Sequence, residues 1–384
     1  MTVTQDDTNN PYGLKRYHPP LHPLRPQADM SRFYVVTTVA NSPRHEKRFD
    51  LYHRFAEMCD GAGVKLITVE QAFGLRPFMV TEPNNPMHVQ VRTVEELWHK
   101  ENMTNIGMLR ASEMGAREIA WVDADCRPTM VPRMWFEETW HQLQHYEFVQ
   151  MWEWMQDLSL NHNPIGSPQP SFMANYLFHG SPDYRTFVEI VAGRCKCERC
   201  RCKCKRDDKG RCVCHCVDPD PYPYGYLGSQ SVFGRPGLAW AANVDALNKV
   251  GRLMDFCIHG SGDWYTAYAL VGMLKVVQES VPSSAYVRKL YRWQELCERW
   301  IKRDVGLVRG VVNHDFHGRK KLRQYNTRDS ILVSNGFDPD RDIKYDVQGL
   351  LQLETWEPRQ IRLRDQMRRY FAEMNGDSTT GGED

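Results

Sequence analysis

The stretch "REIAWVDADCRP" (Arg117–Pro128) closes an apolar run with two acids one residue apart, Asp123 and Asp125. Two carboxylates held together repel one another and favour a bound cation. Hard oxygen donors of this kind suit Mg²⁺ or Mn²⁺, commonly shared with substrate phosphates. Alternation along a strand would put both side chains on one face, as a shared ion requires. The competing reading is a pair of strand-end acids that begin a turn.

A second stretch, "CKCERCRCKCKRDDKGRCVCHC", carries soft ligands. It holds Cys195, Cys197, Cys200, Cys202, Cys204, Cys212, Cys214, Cys216 and His215. Thiolates at this density suit Zn²⁺. Cys-x-Cys neighbours cannot easily bridge each other, so metal binding is favoured over disulfides, with two or three ions sharing thiolates. From Arg194 to Cys216 nine Lys/Arg stand against three acids, a local charge of +6. That charge is either solvated on a small metal knob or set against the phosphates of a nucleic acid. The other cysteines (Cys59, Cys126, Cys257, Cys297) lie in apolar or helical contexts and read as buried thiols.

The elements that must position these groups follow from patterning. "RFYVVTTVA" is a β-branched, aromatic run and reads as a first strand. "SPRHEKRFDLYHRFAEMCDGAG" reads as a helix stopped by Gly61 and Gly63. "VKLITVE" is a second strand. "TVEELWHKENMTNIGMLRASEMGA" reads as a helix that starts at Thr93, with Glu96 completing a capping box. "EIAWVDADC", "PRMWFEETWHQLQHY" and "EFVQMWEWM" continue the alternation as strand, helix and strand. Such alternation predicts an α/β fold with a mostly parallel sheet flanked by helices. In an open sheet of that class ligands bind beyond the carboxyl ends of the strands, where Asp123 and Asp125 fall.

The 384 residues carry a net charge of +1, so any nucleic-acid contact must come from local patches. No stretch has the length of a membrane span, and "MTVTQDDTNNPYG" lacks a basic-then-apolar signal pattern, which predicts a cytoplasmic protein. The expected organisation is an extended arm over 1–30, a first half over 31–192, the Cys-rich insert over 193–220, a second half over 221–350, and a C-terminal helix with a polar tail over 351–384.

Strand, helix and strand ending in Asp-x-Asp resembles the GT-A fold of nucleotide-sugar-dependent glycosyltransferases. "LWHKENMTNIGM" before "IAWVDADC" resembles a phage and bacterial branch in which a Lys-Glu-x-x-x-Asn helix precedes that strand, here Lys100, Glu101 and Asn105. Leu97, Glu101, Asn105 and Met108 recur at helical spacing, so two polar residues fall on an apolar face and need partners. A structural hydrogen bond and a role in donor binding both satisfy that need. "GRPGLAWA" and "HGSGDW" resemble the family's second signature, with Gly237, Trp240, Ala241, Gly260, Gly262 and Asp263 in place. Asp263 also reads as an N-cap of "WYTAYALVGML". "NHDFHGRKKLRQYNTRDSIL" resembles the third.

The resemblance implies a metal-dependent transferase using a UDP-hexose or similar nucleotide-sugar. It implies Asp123, Asp125 and one of His314 or His317 at a catalytic Mn²⁺ or Mg²⁺. It also implies Arg319 and Lys320 at the leaving diphosphate, together with Lys321 and Arg323. Thr38, Asn41 and Arg44 would hold the nucleotide, and Asp263 would act near the acceptor, as base if the reaction inverts. Some phage enzymes of this superfamily glycosylate hydroxymethylated pyrimidines in DNA, and the basic insert points the same way. A glycan, lipid-linked or small-molecule acceptor and a zinc-dependent DNA-binding protein on an inactive scaffold are the alternatives. Asp338 and Asp342 read as structural.

Overall fold

A computed structural model of the chain describes residues 27–178, 234–274, 281–318 and 328–373. The Cys-rich insert, most of the N-terminal arm, Arg319, Lys320 and the polar tail lie outside the described residues.

The first half alternates as its patterning dictates. Strand β1 (Phe33–Ala40) leads to helix α1 (Glu46–Ala62), which passes through Gly61 and stops at Gly63, whose φ of 70° supplies the left-handed turn. Strands β2 (Lys65–Phe73) and β3 (His88–Thr93) follow, then α2 (Lys100–Glu113), β4 (Glu118–Val122), β5 (Cys126–Pro128) and α3 (Pro132–Leu143). Next come β6 (Phe148–Gln150), β7 (Trp154–Leu158), β8 (Pro164–Pro170) and α4 (Phe172–Phe178). The second half contains β9 (Ala239–Asn243), α5 (Val244–Val250), α6 (Gly262–Leu270), α7 (Ser284–Trp300), β10 (Val305–Leu307) and β11 (Val311–His314). Helix α8 (Asp329–Ser334), β12 (Ile343–Tyr345), β13 (Leu351–Leu353) and α9 (Pro358–Glu373) complete it.

Seven strands form the main sheet in the order β10-β6-β9-β4-β1-β2-β3, all parallel except β9, which runs against both β4 and β6. Alternate residues of the central strands feed two opposite cores. Tyr34, Val36, Ile119, Trp121, Trp240 and Ala242 pack on one face with α2, α6 and α7. Phe33, Val35, Ala120, Val122, Ala239 and Ala241 pack on the other with α1 and α3. Strand β4 is buried along its whole length, as a central strand covered on both faces must be. The expected α/β class and mostly parallel, helix-flanked sheet are therefore what the chain adopts. Gly107 lets α2 lie close on β1, since a Cβ there would meet Val36 Cγ1 at 2.5 Å.

A second sheet, β5-β11-β7-β8, stands beside the carboxyl ends of the first. It divides "EFVQMWEWM", expected as one strand, into β6 in the main sheet and β7 in the second. The capping box at Thr93 is also corrected. Thr93 ends β3, and its Oγ1 accepts from the Glu95 N–H at 2.9 Å, so the hydroxyl serves a turn and α2 begins at Lys100. Pairing of "HVQVRT" with the edge of β2 overrides the local capping signal, because a strand is held by partners distant in sequence.

Cys59, Cys126, Cys257 and Cys297 are buried free thiols, as their contexts predicted. Asp342, fully buried, accepts from Arg359 Nη1 at 2.8 Å and Nη2 at 2.5 Å and from Gln360 Nε2 at 3.1 Å. Burial alone would raise its pKa, but these bonds and the Asp338 N–H hold it down to about 2. Among the described residues no helix is long and apolar enough to cross a membrane.

Candidate active site

Beyond the carboxyl ends of β1 and β4 lies a cleft of about 340 Å³. Strand β4 stops at Val122, and the chain turns at once: the Asp123 N–H donates to Leu238 O at 2.8 Å and the Cys126 N–H donates to Asp123 O at 2.9 Å. The turn ends the alternation that would have kept Asp123 and Asp125 on one face. Each carboxylate consequently meets its own set of partners.

Asp123 faces Lys100, the first residue of α2, whose Nζ lies 2.6 Å from Oδ1 and 2.7 Å from Oδ2. Burial opposes the charge on Lys100, but Asp123, Asp263 and Glu101 outweigh it and hold its pKa above the ordinary value. Asp123 is raised by burial, with Lys100 pulling against that and Asp125 adding to it. Next to Lys100, Glu101 is 5% exposed, and its Oε2 has no hydrogen-bond partner. Burial pushes its pKa up to about 8 even though Lys100 opposes the shift.

Asp125 faces two imidazoles. His317 Nδ1 lies 3.3 Å from Asp125 Oδ2 and 2.9 Å from Asp315 O. His314 Nε2 lies 3.9 Å from Asp125 Oδ2, too far for a hydrogen bond. One donor atom from each of Asp125, His314 and His317 falls within 4.8 Å of the others. The second sheet builds this grouping. Strand β11 pairs antiparallel with β5, setting His314 opposite Cys126, and the Asp315 N–H donates to Asp125 O at 2.8 Å. Arg127 then grips Asp315, only 2% exposed, through two bonds of 2.6 Å, the bidentate fork that guanidinium and carboxylate favour.

The three residues fit a divalent cation. Asp125 Oδ1 is buried and has no hydrogen-bond partner, a costly state that an ion relieves. Two imidazoles move the preference from Mg²⁺, which takes oxygen ligands, toward a transition ion such as Mn²⁺. Asp123 is not in this group, since both of its oxygens are held by Lys100.

Asp263 enters the cleft from the start of α6. It lies one residue inside the helix, whose N-cap is Ser261, and its Oδ1 accepts from the Trp264 N–H at 2.8 Å. Its backbone place is thus the first turn and not the cap that the sequence suggested. The glycines around it are spaces for charged side chains. A Cβ on Gly237 would lie 2.6 Å from Asp263 Oδ2, and one on Gly262 would lie 2.6 Å from Glu101 Cδ. At Gly260 (φ +100°) it would lie 2.8 Å from Arg328 Nη1. Arg328, buried, lines the cleft and donates to Ser261 Oγ at 2.8 Å.

Thr38 also lines the cleft. Asn41 and Arg44 lie outside it. Asn41 closes the β1–α1 loop through its own amide, donating to His45 O and accepting from the His45 N–H, each at 2.9 Å. Arg44 rests on Met79 Sδ at 3.2 Å. Arg48, one turn further along α1, reaches the cleft. Asn105 takes the structural alternative: it donates to Leu253 O and accepts from Leu253 N–H, each at 2.9 Å, pinning α2 to the loop before α6. Trp240 is 3% exposed in the core, and its indole donates to Pro236 O. The residues that sequence reasoning missed are Asp157, Arg127, Asp315 and Arg48. Asp157 pairs with His314, 157 positions away, so no local pattern marks it.

No protein-family model and no curated protein matches the chain. Among solved structures, the catalytic domain of Drosophila β1,4-galactosyltransferase 7, in complex with xylobiose, aligns over 86% of this chain and 98% of its own. The identity is 9% and the TM-score 0.33. A likeness that weak bears no weight, and fold and site rest on the strand order and the distances above.

Proposed function

We propose that the chain is a metal-dependent glycosyltransferase that moves a hexose from a nucleotide-sugar, a UDP-sugar in the first instance, to an acceptor hydroxyl. The observation that carries this reading is the Asp125–His314–His317 group, which shares one cleft with Asp263 at the carboxyl ends of a parallel sheet. The sheet order, the acids at the end of β4 and the glycine-cradled Asp263 all agree with the GT-A resemblance of the sequence.

Asp125, His314 and His317 would hold Mn²⁺, which supplies Lewis-acid stabilisation of the leaving diphosphate. Lys100 places a positive charge at the same end of the cleft, and its contact with Asp123 keeps that carboxylate oriented. Arg328 offers a second cation on the wall shared with Ser261. Asp263 is the candidate base for an inverting transfer, taking the acceptor proton on its carboxylate. Arg319 and Lys320 would add charge against the diphosphate. Thr38 would hold the nucleotide, with Asn41 and Arg44 shaping the β1–α1 loop behind it.

The acceptor we propose is hydroxymethylcytosine in duplex DNA. The local charge of +6 in the Cys-rich sequence supports it, since that charge would meet phosphates and its thiolates would hold Zn²⁺. The test incubates the chain with hydroxymethylcytosine-containing DNA, Mn²⁺ and a panel of nucleotide-sugars, and weighs the nucleosides by mass spectrometry. A hexose-sized gain on the modified base is the expected result. Donor hydrolysis without that gain would remove the DNA acceptor and keep the transferase. Neither event, with any donor, would remove both.

A further inference from the structure

We infer that Asp157 is a positioning residue that fixes His314 as a ligand through Nε2, completing a carboxylate–imidazole–cation relay at the Asp125 site. The inference rests on the proposed metal reading of that site and adds a residue that takes no part in it directly.

The register of the second sheet creates the pair. Strands β7 and β11 are parallel neighbours in which Asp157 stands directly beside His314, so both side chains leave the same face of the sheet. His314 Nδ1 lies 2.8 Å from Asp157 Oδ1, and Nε2 points the other way, to Asp125. A carboxylate only accepts hydrogen bonds, so the proton of a neutral His314 sits on Nδ1 and its lone pair on Nε2. The side chains of His314 and Asp157 are 14% and 10% exposed, so little water competes for that bond. A ligating imidazole held by a carboxylate on its other nitrogen has a fixed ring plane and a more basic donor atom.

Strand β7 pairs one-for-one with β11 from Trp154 to Asp157, so regular pairing fixes Asp157 beside His314. The β7–β8 register shifts between Met155 and Asp157, where Gln156 alone stands opposite residues 166–168, so the extra residues lie on β8 and β7 stays regular. Gln156 donates through Nε2 to Asp157 O at 3.0 Å and to Ile165 O at 2.9 Å, tying β7 to β8 beside Asp157.

The experiment titrates Mn²⁺ into the full chain by calorimetry and reads the His314 tautomer in the metal-free protein by long-range proton–nitrogen NMR. The wild type binds Mn²⁺ and shows the Nδ1–H form. Asp157→Asn and Asp157→Ala lower Mn²⁺ affinity about 10–100-fold, and in the Asn variant the Nε2–H form becomes populated. Asp125→Ala serves as the site control and loses binding. Unchanged Mn²⁺ affinity in both Asp157 variants, with binding lost in Asp125→Ala, overturns the inference and leaves the metal site standing. An Nε2–H tautomer in the wild type overturns it without any variant, should the Asp157 variants not fold. Absence of Mn²⁺ binding by the wild type removes the metal reading and the inference together.

Discussion

The two sides of the cleft solve one electrostatic problem in opposite ways. On the α2 side, Asp123, Asp263 and Glu101 surround Lys100, so the protein supplies its own cation. On the side of the second sheet, Asp125 has two imidazoles and a buried oxygen without a partner, and in the proposed reading the cation comes from outside. Asp123 and Asp125 are two residues apart, and a single turn after Val122 decides which acid belongs to which side. Carboxylate spacing in a sequence therefore says that charge accumulates there, not how it is balanced.

The largest effect should come from breaking the external side. Asp125→Ala removes the carboxylate of the metal group and should lower transfer by about 10²–10³-fold, the scale for losing one transition-state electrostatic contact. Its melting temperature should stay close to the wild type, because the backbone bond from the Asp315 N–H is kept and the His317 ring facing the lost carboxylate still bonds Asp315 O. Steady-state rates and calorimetric melting check both statements.

The internal side is broken through a double-mutant cycle. Lys100→Met and Asp123→Asn should couple by about 0.5–3 kcal/mol in donor hydrolysis, whereas Lys100→Met and Asp125→Ala, linked only through Asp123, should couple less. Strong coupling of Lys100 to Asp125 would merge the two sides into one site and undo the comparison.

Asn105 sharpens it by showing what lies outside either side. Asn105→Ala unpairs Leu253 and should cost about 1–3 kcal/mol of stability in urea unfolding, with KM for the donor unchanged. A rise in KM at constant stability would return Asn105 to donor binding.

Glu101 probes the internal side through pH. Its pKa of about 8 lies above the ordinary 4.5, so the folded chain keeps a proton that the unfolded chain releases across that window. The stability that proton carries is complete below 4.5 and is lost as the pH rises toward 8. Glu101→Gln removes the slope. Its melting temperature should gain on the wild type from pH 4.5 to pH 8 and then run parallel. A constant difference across the window would mean that Glu101 is ionised in the fold.

Much of this molecule is written locally. β-Branched runs separated by amphipathic helices made β1, α1, β2, β4 and α3 legible, and the alternation of these elements gave the parallel sheet. The glycines of "GRPGL" and "HGSGD" could be quoted as a pattern, but their reason is spatial: they make room for Asp263, Arg328 and Glu101. The capping box at Thr93 misled because β3 finds its partner in β2, across the loop that joins them.

The sequence by itself determined the class of the fold, the buried thiols, the charges gathered around Asp123 and Asp125, and the histidines of "NHDFH". Each depends on periodicity or on residue type within a short window. Tertiary structure alone decided that Lys100 takes Asp123, that His314 and His317 take Asp125, and that Asp157 stands behind His314. Those choices depend on the register of strands brought together from distant parts of the chain. A one-residue shift in that register would turn the side chains to the opposite face.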